Sequence, residues 1–200
     1  MENSETTLRV TLYGETILRE KGQPVQAFDA ELHQLAKDML ATMYEHEGIG
    51  LAAQQVGKAL MFCVVDLQVP PGERIEFTFT LDGKTLPIDL IMPLELANPV
   101  VEPITDDERP YDEGCLSFPD IRGEVMRPER IRVTYQDLNG AKHVLETGGL
   151  LARVILHEVD HLNGVLFIDR MNKDVYRVIR SRVNKLERKV KLAVQSGKLR

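Results

Sequence analysis

The stretch Leu150-Leu151-Ala152-Arg153-Val154-Ile155-Leu156-His157-Glu158-Val159-Asp160-His161-Leu162 decides how the rest of the chain is read. Leu150, Leu151, Val154, Ile155, Val159 and Leu162 suit one heavily buried helix, opening after Gly148-Gly149 and stopping near Gly164. Within it His157 and His161 stand four apart, on one face and about one turn from each other, so both rings can reach one divalent metal. Glu158 then sits beside the metal rather than on it, where it can take a proton from an attacking water. A pair of surface histidines is the bland alternative, and the apolar surroundings argue against it.

Working outward, Asp29 can cap a helix of roughly Ala30–Glu47, in which Leu32, Leu35, Ala36, Met39, Leu40 and Met43 recur at helical spacing. Leu60–Leu67 reads as a buried strand. After Pro70-Pro71-Gly72, alternating Ile75, Phe77 and Phe79 run to Asp82-Gly83, and Leu86, Ile88 and Leu90 alternate beyond it. That pattern predicts a hairpin. Further strands are expected over Leu94–Val101, Arg130–Leu138 and Ala141–Glu146. A last helix spans Lys173 to Val194, striped by Val175, Ile179, Val183, Leu186 and Val190. Strands in runs with helices at three places define an α+β fold, with antiparallel β-sheets around a central metal-binding helix and a long C-terminal helix. One domain is expected over residues 1–200, with 68–93 as a hairpin insertion.

Composition narrows the function classes. Apolar residues make up 43% and charged residues 28%, which excludes a disordered tail or a rod. There is no apolar run of about 18 residues, so no membrane partner is expected. The opening Met1-Glu2-Asn3-Ser4-Glu5 carries no secretory pattern, and two cysteines, Cys63 and Cys115, make no disulfide framework. A cytoplasmic protein is the expectation. Of the 25 basic and 31 acidic residues, ten basic and two acidic fall in 173–200, a local net of +8 against −14 for residues 1–172. The body repels a phosphate backbone; the tail could attract one.

Two histidines do not complete a catalytic metal site, which usually takes three protein ligands. One protease class adds a histidine six residues on, where this chain has Phe167 after a matching Gly164, and phenyl cannot ligate. Another class uses a later glutamate, and only Glu187, in the basic helix, is available. Upstream, Glu113-Gly114-Cys115-Leu116-Ser117 offers a soft thiolate in a turn-rich stretch. Alone, Cys115 reads as a small buried hydrophobe; beside an incomplete two-histidine site it is the best third ligand. A third cluster, Gly48-Ile49-Gly50-Leu51-Ala52-Ala53-Gln54-Gln55, fails as a phosphate loop and reads as close backbone approach to a bound chain, with Gln55 able to aim an amide N–H at an oxyanion.

The three segments in this order, G-I-G-L-A-A-Q-Q, E-G-C-L-S and H-E-V-D-H, resemble the signature motifs of bacterial peptide deformylases, over about Leu12 to Arg170. The flanking Thr16-Ile17-Leu18-Arg19 and Asn163-Gly164-Val165-Leu166-Phe167 look similar too. The resemblance implies a hydrolase that removes the formyl group from N-formylmethionine at the start of nascent polypeptides. It implies Cys115, His157 and His161 as ligands of one divalent ion, Fe(II) natively, with Zn, Ni or Co able to occupy the site. It makes Glu158 the general acid/base, with the Gln55 amide and the Leu116 N–H holding the oxyanion. By the same resemblance Ile49, Tyr111, Leu150 and Val154 wall the methionine pocket. The Gly50 and Glu113 backbones pair with the peptide, beside Gly114, and Arg122 lies near the substrate. Asp160 is expected to orient the site, with Arg127 as its partner. The chain departs from many relatives in carrying Leu156 where they have Gln, and in a longer connection over 68–93, expected to rim the active-site cleft.

Two other readings remain open from the sequence. A zinc endopeptidase would cleave internal bonds without regard to formyl groups. A ribosome- or RNA-binding protein would use the basic helix, and both roles can coexist if Lys185, Arg188, Lys189 and Lys191 dock an enzyme on ribosomal RNA. A monomer is expected.

Overall fold

The computed structural model describes residues 6–70, 73 and 77–199. Asp29 caps α1 (Ala30–Glu45), its carboxylate accepting from the Glu31 and Leu32 N–H groups. The helix ends two residues earlier than the periodicity suggests, because Glu47 turns into the left-handed region (φ 54°) and Gly48 N–H bonds back to Met43 O. Leu32, Ala36, Met39 and Met43 on its inner face pack against Leu51, Phe62, Val64 and Ala97.

The strands follow as β1 (Gly50–Ala52), β2 (Phe62–Val65), β3 (Phe79–Leu81), β4 (Leu94–Pro103), β5 (Glu108–Gly114), β6 (Arg122–Pro128), β7 (Arg130–Gln136) and β8 (Lys142–Gly148). Six form one antiparallel sheet in the order β1-β2-β4-β7-β8-β3, while β5 and β6 pair apart as a ribbon. In β4 a bulge at Asn98 (φ 52°) is held by its side chain, which bonds both backbone groups of Val25 and the Gln136 amide oxygen.

Among the described residues, the expected hairpin across Asp82-Gly83 is cut to the single bridge of Leu81 and Lys84. The turn itself closes, with Leu81 and Lys84 exchanging backbone hydrogen bonds, but β3 pairs with β8, and Ile88–Leu90 is a single 3-10 turn. Asp82 explains the choice, since its carboxylate takes the Val144 N–H and His143 on β8, while Pro87 has no N–H with which to continue a return strand. Ile75 lies outside the described residues. Among the described residues of 68–93, none lines the central cleft. Val69, Pro70, Phe77–Thr80 and Thr85–Asp89 border a separate cavity of about 560 Å³, and Gln68 touches the cleft rim through the Gly48 carbonyl.

Helix α2 (Gly149–Leu162) crosses the sheet and buries Leu151, Ala152, Ile155 and Leu162 against Cys63, Val65, Leu96, Ile131, Val133 and Leu145. Gly149 starts it with φ 58°, and a Cβ there would meet Phe77 at 2.8 Å, so glycine is required on two counts. A short helix α3 (Phe167–Arg170) leads to α4 (Lys173–Gln195), capped by Asn172. Ile179 and Val183 of α4 join Phe118, Ile121, Val125 and Phe167 in a second core. The architecture is thus α+β, with antiparallel sheets about α2 and α4 as the long last helix. No helix among the described residues is long and apolar enough to cross a membrane.

Candidate metal centre

Helix α2 delivers His157 and His161 one turn apart, their ring centroids 5.0 Å from each other. The turn after β5 brings Cys115 to the same point, where its Sγ lies 3.3 Å from His161 Nε2. One donor atom from each of Cys115, His157 and His161 falls within 4.8 Å of the others. The two alternative third ligands are elsewhere: Phe167 is a buried ring 6.0 Å from that of His157, and Glu187 pairs with Lys191 on α4. Cys63 is fully buried in β2, and burial pushes its thiol well up, whereas Cys115 is only half-buried.

Glu158 is 4% exposed, with Oε2 buried and unbonded, and burial raises its carboxyl to about 7 against the pull of His157 and Arg127. It nearly touches the backbone of β1: a Cβ on Gly50 would lie 2.5 Å from Glu158 Oε1 and 2.8 Å from Val154 Cγ1. Gln55, in the 3-10 turn after β1, accepts the Ala52 N–H at its Oε1 (2.8 Å), which turns its Nε2 toward Cys115 Sγ (3.5 Å) and Ser117 Oγ (3.4 Å).

A buried charge network supports the cluster from behind. Glu113 accepts two hydrogen bonds from Arg127 (2.7 and 3.0 Å) and one from Arg153 (2.9 Å), and its Oε2 lies 3.0 Å from His157 Nδ1. Burial alone would raise the Glu113 carboxyl; the bonds from His157 and Arg127 overcome it and hold the group at about 2. Arg127 also donates to Asp160 at 2.8 Å, the pairing expected from sequence, and Arg170 adds two more bonds to Asp160. Sequence reasoning gave Glu113 only a backbone role and missed its side chain. The signal available was an acidic residue two before a ligand cysteine, and nothing local said where it points. Burial pushes the His161 ring the other way, well below the ordinary histidine range.

A cleft of about 810 Å³ opens on this cluster. Ile49, Gly50, Gln55, Tyr111, Glu113, Gly114, Cys115, Leu116, Arg122, Leu150, Val154, His157 and Glu158 all line it. Of the ligand, catalytic and substrate-contacting residues named from sequence, His161 alone lies outside that lining, fully buried behind Cys115. Arg122 is exposed and paired with Asp112 (2.7 Å) at the rim.

A Cys-His-His donor set beside an unbonded carboxylate, at the floor of a cleft edged by backbone, defines a metallohydrolase acting on peptide-like substrates. The sequence model of the family described as polypeptide deformylase matches residues 7–176. A peptide deformylase of Opitutus terrae is 52% identical over 190 residues, 94% of this chain and 97% of its own length. One from Methylacidiphilum infernorum is 40% identical over 90% of this chain and 93% of its own. Among solved structures, a plant peptide deformylase matches with a TM-score of 0.81 at 35% identity, covering 98% of this chain and 97% of that one. The chain belongs to the peptide deformylase family, whose members remove the formyl group from an N-terminal methionine.

Proposed function

We propose that this chain deformylates formyl-methionyl peptides with one divalent ion held by Cys115 Sγ and a ring nitrogen each of His157 and His161. The observation that carries this is the convergence of those three donors beside Glu158. Fe(II) is the expected native ion, with Zn, Ni or Co able to replace it in a purified sample, since a His2Cys set suits several. When bound, the ion supplies Lewis acidity toward the formyl oxygen and makes water a stronger nucleophile near neutral pH.

The chain's own groups do the rest. The Glu158 carboxylate takes a proton as the water oxygen bonds to the formyl carbon. It then hands that proton to the methionine nitrogen as the C–N bond breaks, leaving formate and a free amine. Gln55 Nε2, held in orientation by the Ala52 N–H, and the Leu116 N–H donate to the developing oxyanion, each worth ~3 kcal/mol in the transition state. Ile49, Leu150, Val154 and Tyr111 enclose the methionine side chain. The backbones of Gly50 on one side and of Glu113 and Gly114 on the other pair with the peptide as an added strand, and Arg122 stands at its exit. Amine release from formyl-Met-Ala-Ser after anaerobic Fe(II) loading is the test; an inactive wild type, or a fully active Glu158→Ala, refutes the reading.

The outward face of α4 is read as a dock for ribosomal RNA, supported by exposed Lys185, Arg188, Lys189 and Lys191. Binding should fall steeply with salt, and charge reversal of Lys185, Arg188 and Lys189 should abolish it. We take residues 1–200 as one domain acting as a cytoplasmic monomer. A single cooperative unfolding transition and a solution mass near 22.7 kDa are expected.

A further inference from the structure

Arg153 stands one turn before His157 on α2 and is 7% exposed. Its guanidinium reaches in two directions. Nη1 donates to Glu113 Oε1 (2.9 Å) and to the Val125 carbonyl (3.1 Å). Nη2 donates to the Arg109 carbonyl (2.6 Å), and the guanidinium carbon lies 5.2 Å from the centroid of the Tyr111 ring. Glu113 already has both oxygens engaged by Arg127, so neutralising that carboxylate does not by itself need a second arginine. What Arg153 adds is a hold on the outer half of β5. From Glu108 to Asp112 every β5 residue is exposed, and the strand pairs only with β6. A two-stranded ribbon is marginal by itself and needs packing against another element to keep its position.

We infer that Arg153 is a positioning residue for substrate binding: it clamps the outer half of β5 and the Tyr111 ring to α2, and so fixes the spacing between Tyr111 and Val154 across the methionine pocket. A planar fork that serves two carbonyls, a carboxylate and an aromatic face is a task for arginine, and lysine cannot reproduce it. The inference rests on the proposed deformylase site, with Tyr111 as part of its wall.

Steady-state kinetics on formyl-Met-Ala-Ser and formyl-Leu-Ala-Ser, with bound metal measured per chain, separate the two claims. An inactive wild-type holoenzyme defeats the deformylase reading itself. With an active wild type, Arg153→Lys should raise KM for the methionine peptide about tenfold or more. It should leave kcat within about threefold, leave metal content unchanged, and narrow the preference for methionine over leucine. Rescue of KM by Lys would overturn the inference, because charge alone would then suffice; so would a fall in kcat or metal content at constant KM, which would mean that Arg153 acts through Glu113 and His157. Tyr111→Leu, at a half-exposed position, gives a second route if Arg153 variants fold poorly. It should itself raise KM and relax the methionine preference, and the two substitutions combined should be less than additive; an unchanged KM, or full additivity, overturns the clamp.

Discussion

Glu113 Oε2 lies 3.0 Å from His157 Nδ1, and this one contact fixes the role of each ring nitrogen. A nitrogen facing a carboxylate carries the proton, which leaves Nε2 as a lone pair directed at the space shared with Cys115 and His161. Glu113→Gln keeps the shape and weakens the acceptor. It should lower metal affinity about 10- to 100-fold, read by competition with a chelator, with activity returning in excess metal. Glu113→Ala should instead destabilise by about 3–5 kcal/mol in denaturant unfolding, because Arg127 would keep a buried charge with one partner fewer.

Glu158 Oε2 has no hydrogen-bond partner, and Glu158 is not among the three converging donors. Glu158→Gln should therefore bind metal as the wild type does and lose about 10²- to 10⁴-fold in kcat, since an amide cannot carry the proton to the leaving nitrogen. Retained activity within threefold would remove Glu158 from the proton path.

Gly50 is where the site tolerates no side chain. The Cβ of Gly50→Ala would press on Glu158 Oε1 and Val154 Cγ1 at once. The expected outcome is a fall of about 10²-fold or more in kcat/KM, since a shift of about 1 Å in a reacting group costs on that order. The melting temperature should change by only a few degrees, because β1 is short and at the sheet edge.

Stability should carry a pH signature far from the site. His143 is raised above its ordinary 6.5 by its hydrogen bond to Asp82, with burial opposing, and Asp82 is lowered from 3.8 by the same bond. The histidine's contribution is complete below 6.5 and disappears as pH rises through its folded value; the aspartate's is complete above 3.8 and disappears as pH falls through its own. Asp82 is exposed and His143 partly so, and the pairing is worth under ~1 kcal/mol after screening. Urea unfolding of wild type and His143→Gln should differ most near pH 5 and converge by pH 9; a constant gap would mean the pair does not titrate.

The helix with its two histidines was legible because the geometry lies within one element: a spacing of four on a buried helix admits few arrangements. Cys115 was legible because an incomplete ligand set asks for a third donor, and Arg127 with Asp160 because an acidic residue inside a ligand motif asks for a partner that orients the site. The ribbon of β5 and β6 was not. Glu108 to Asp112 face solvent and show no alternation, so the strand has no hydrophobic period to read. Asp82-Gly83 makes the expected turn, but the hairpin stops at the Leu81–Lys84 bridge among the described residues, because the partner strand of β3 is chosen by Val144 and His143, some sixty residues away. Long-range pairing leaves no local mark.

Strand β1 ends the large sheet, with one flank unpaired, and Glu113 and Gly114 of β5 border the same cleft. On the proposed strand-like pairing, a guest in that slot would lie between main chain on both sides, a geometry that suits an extended, free-ended stretch. Such a geometry favours clients whose first residues are still untucked.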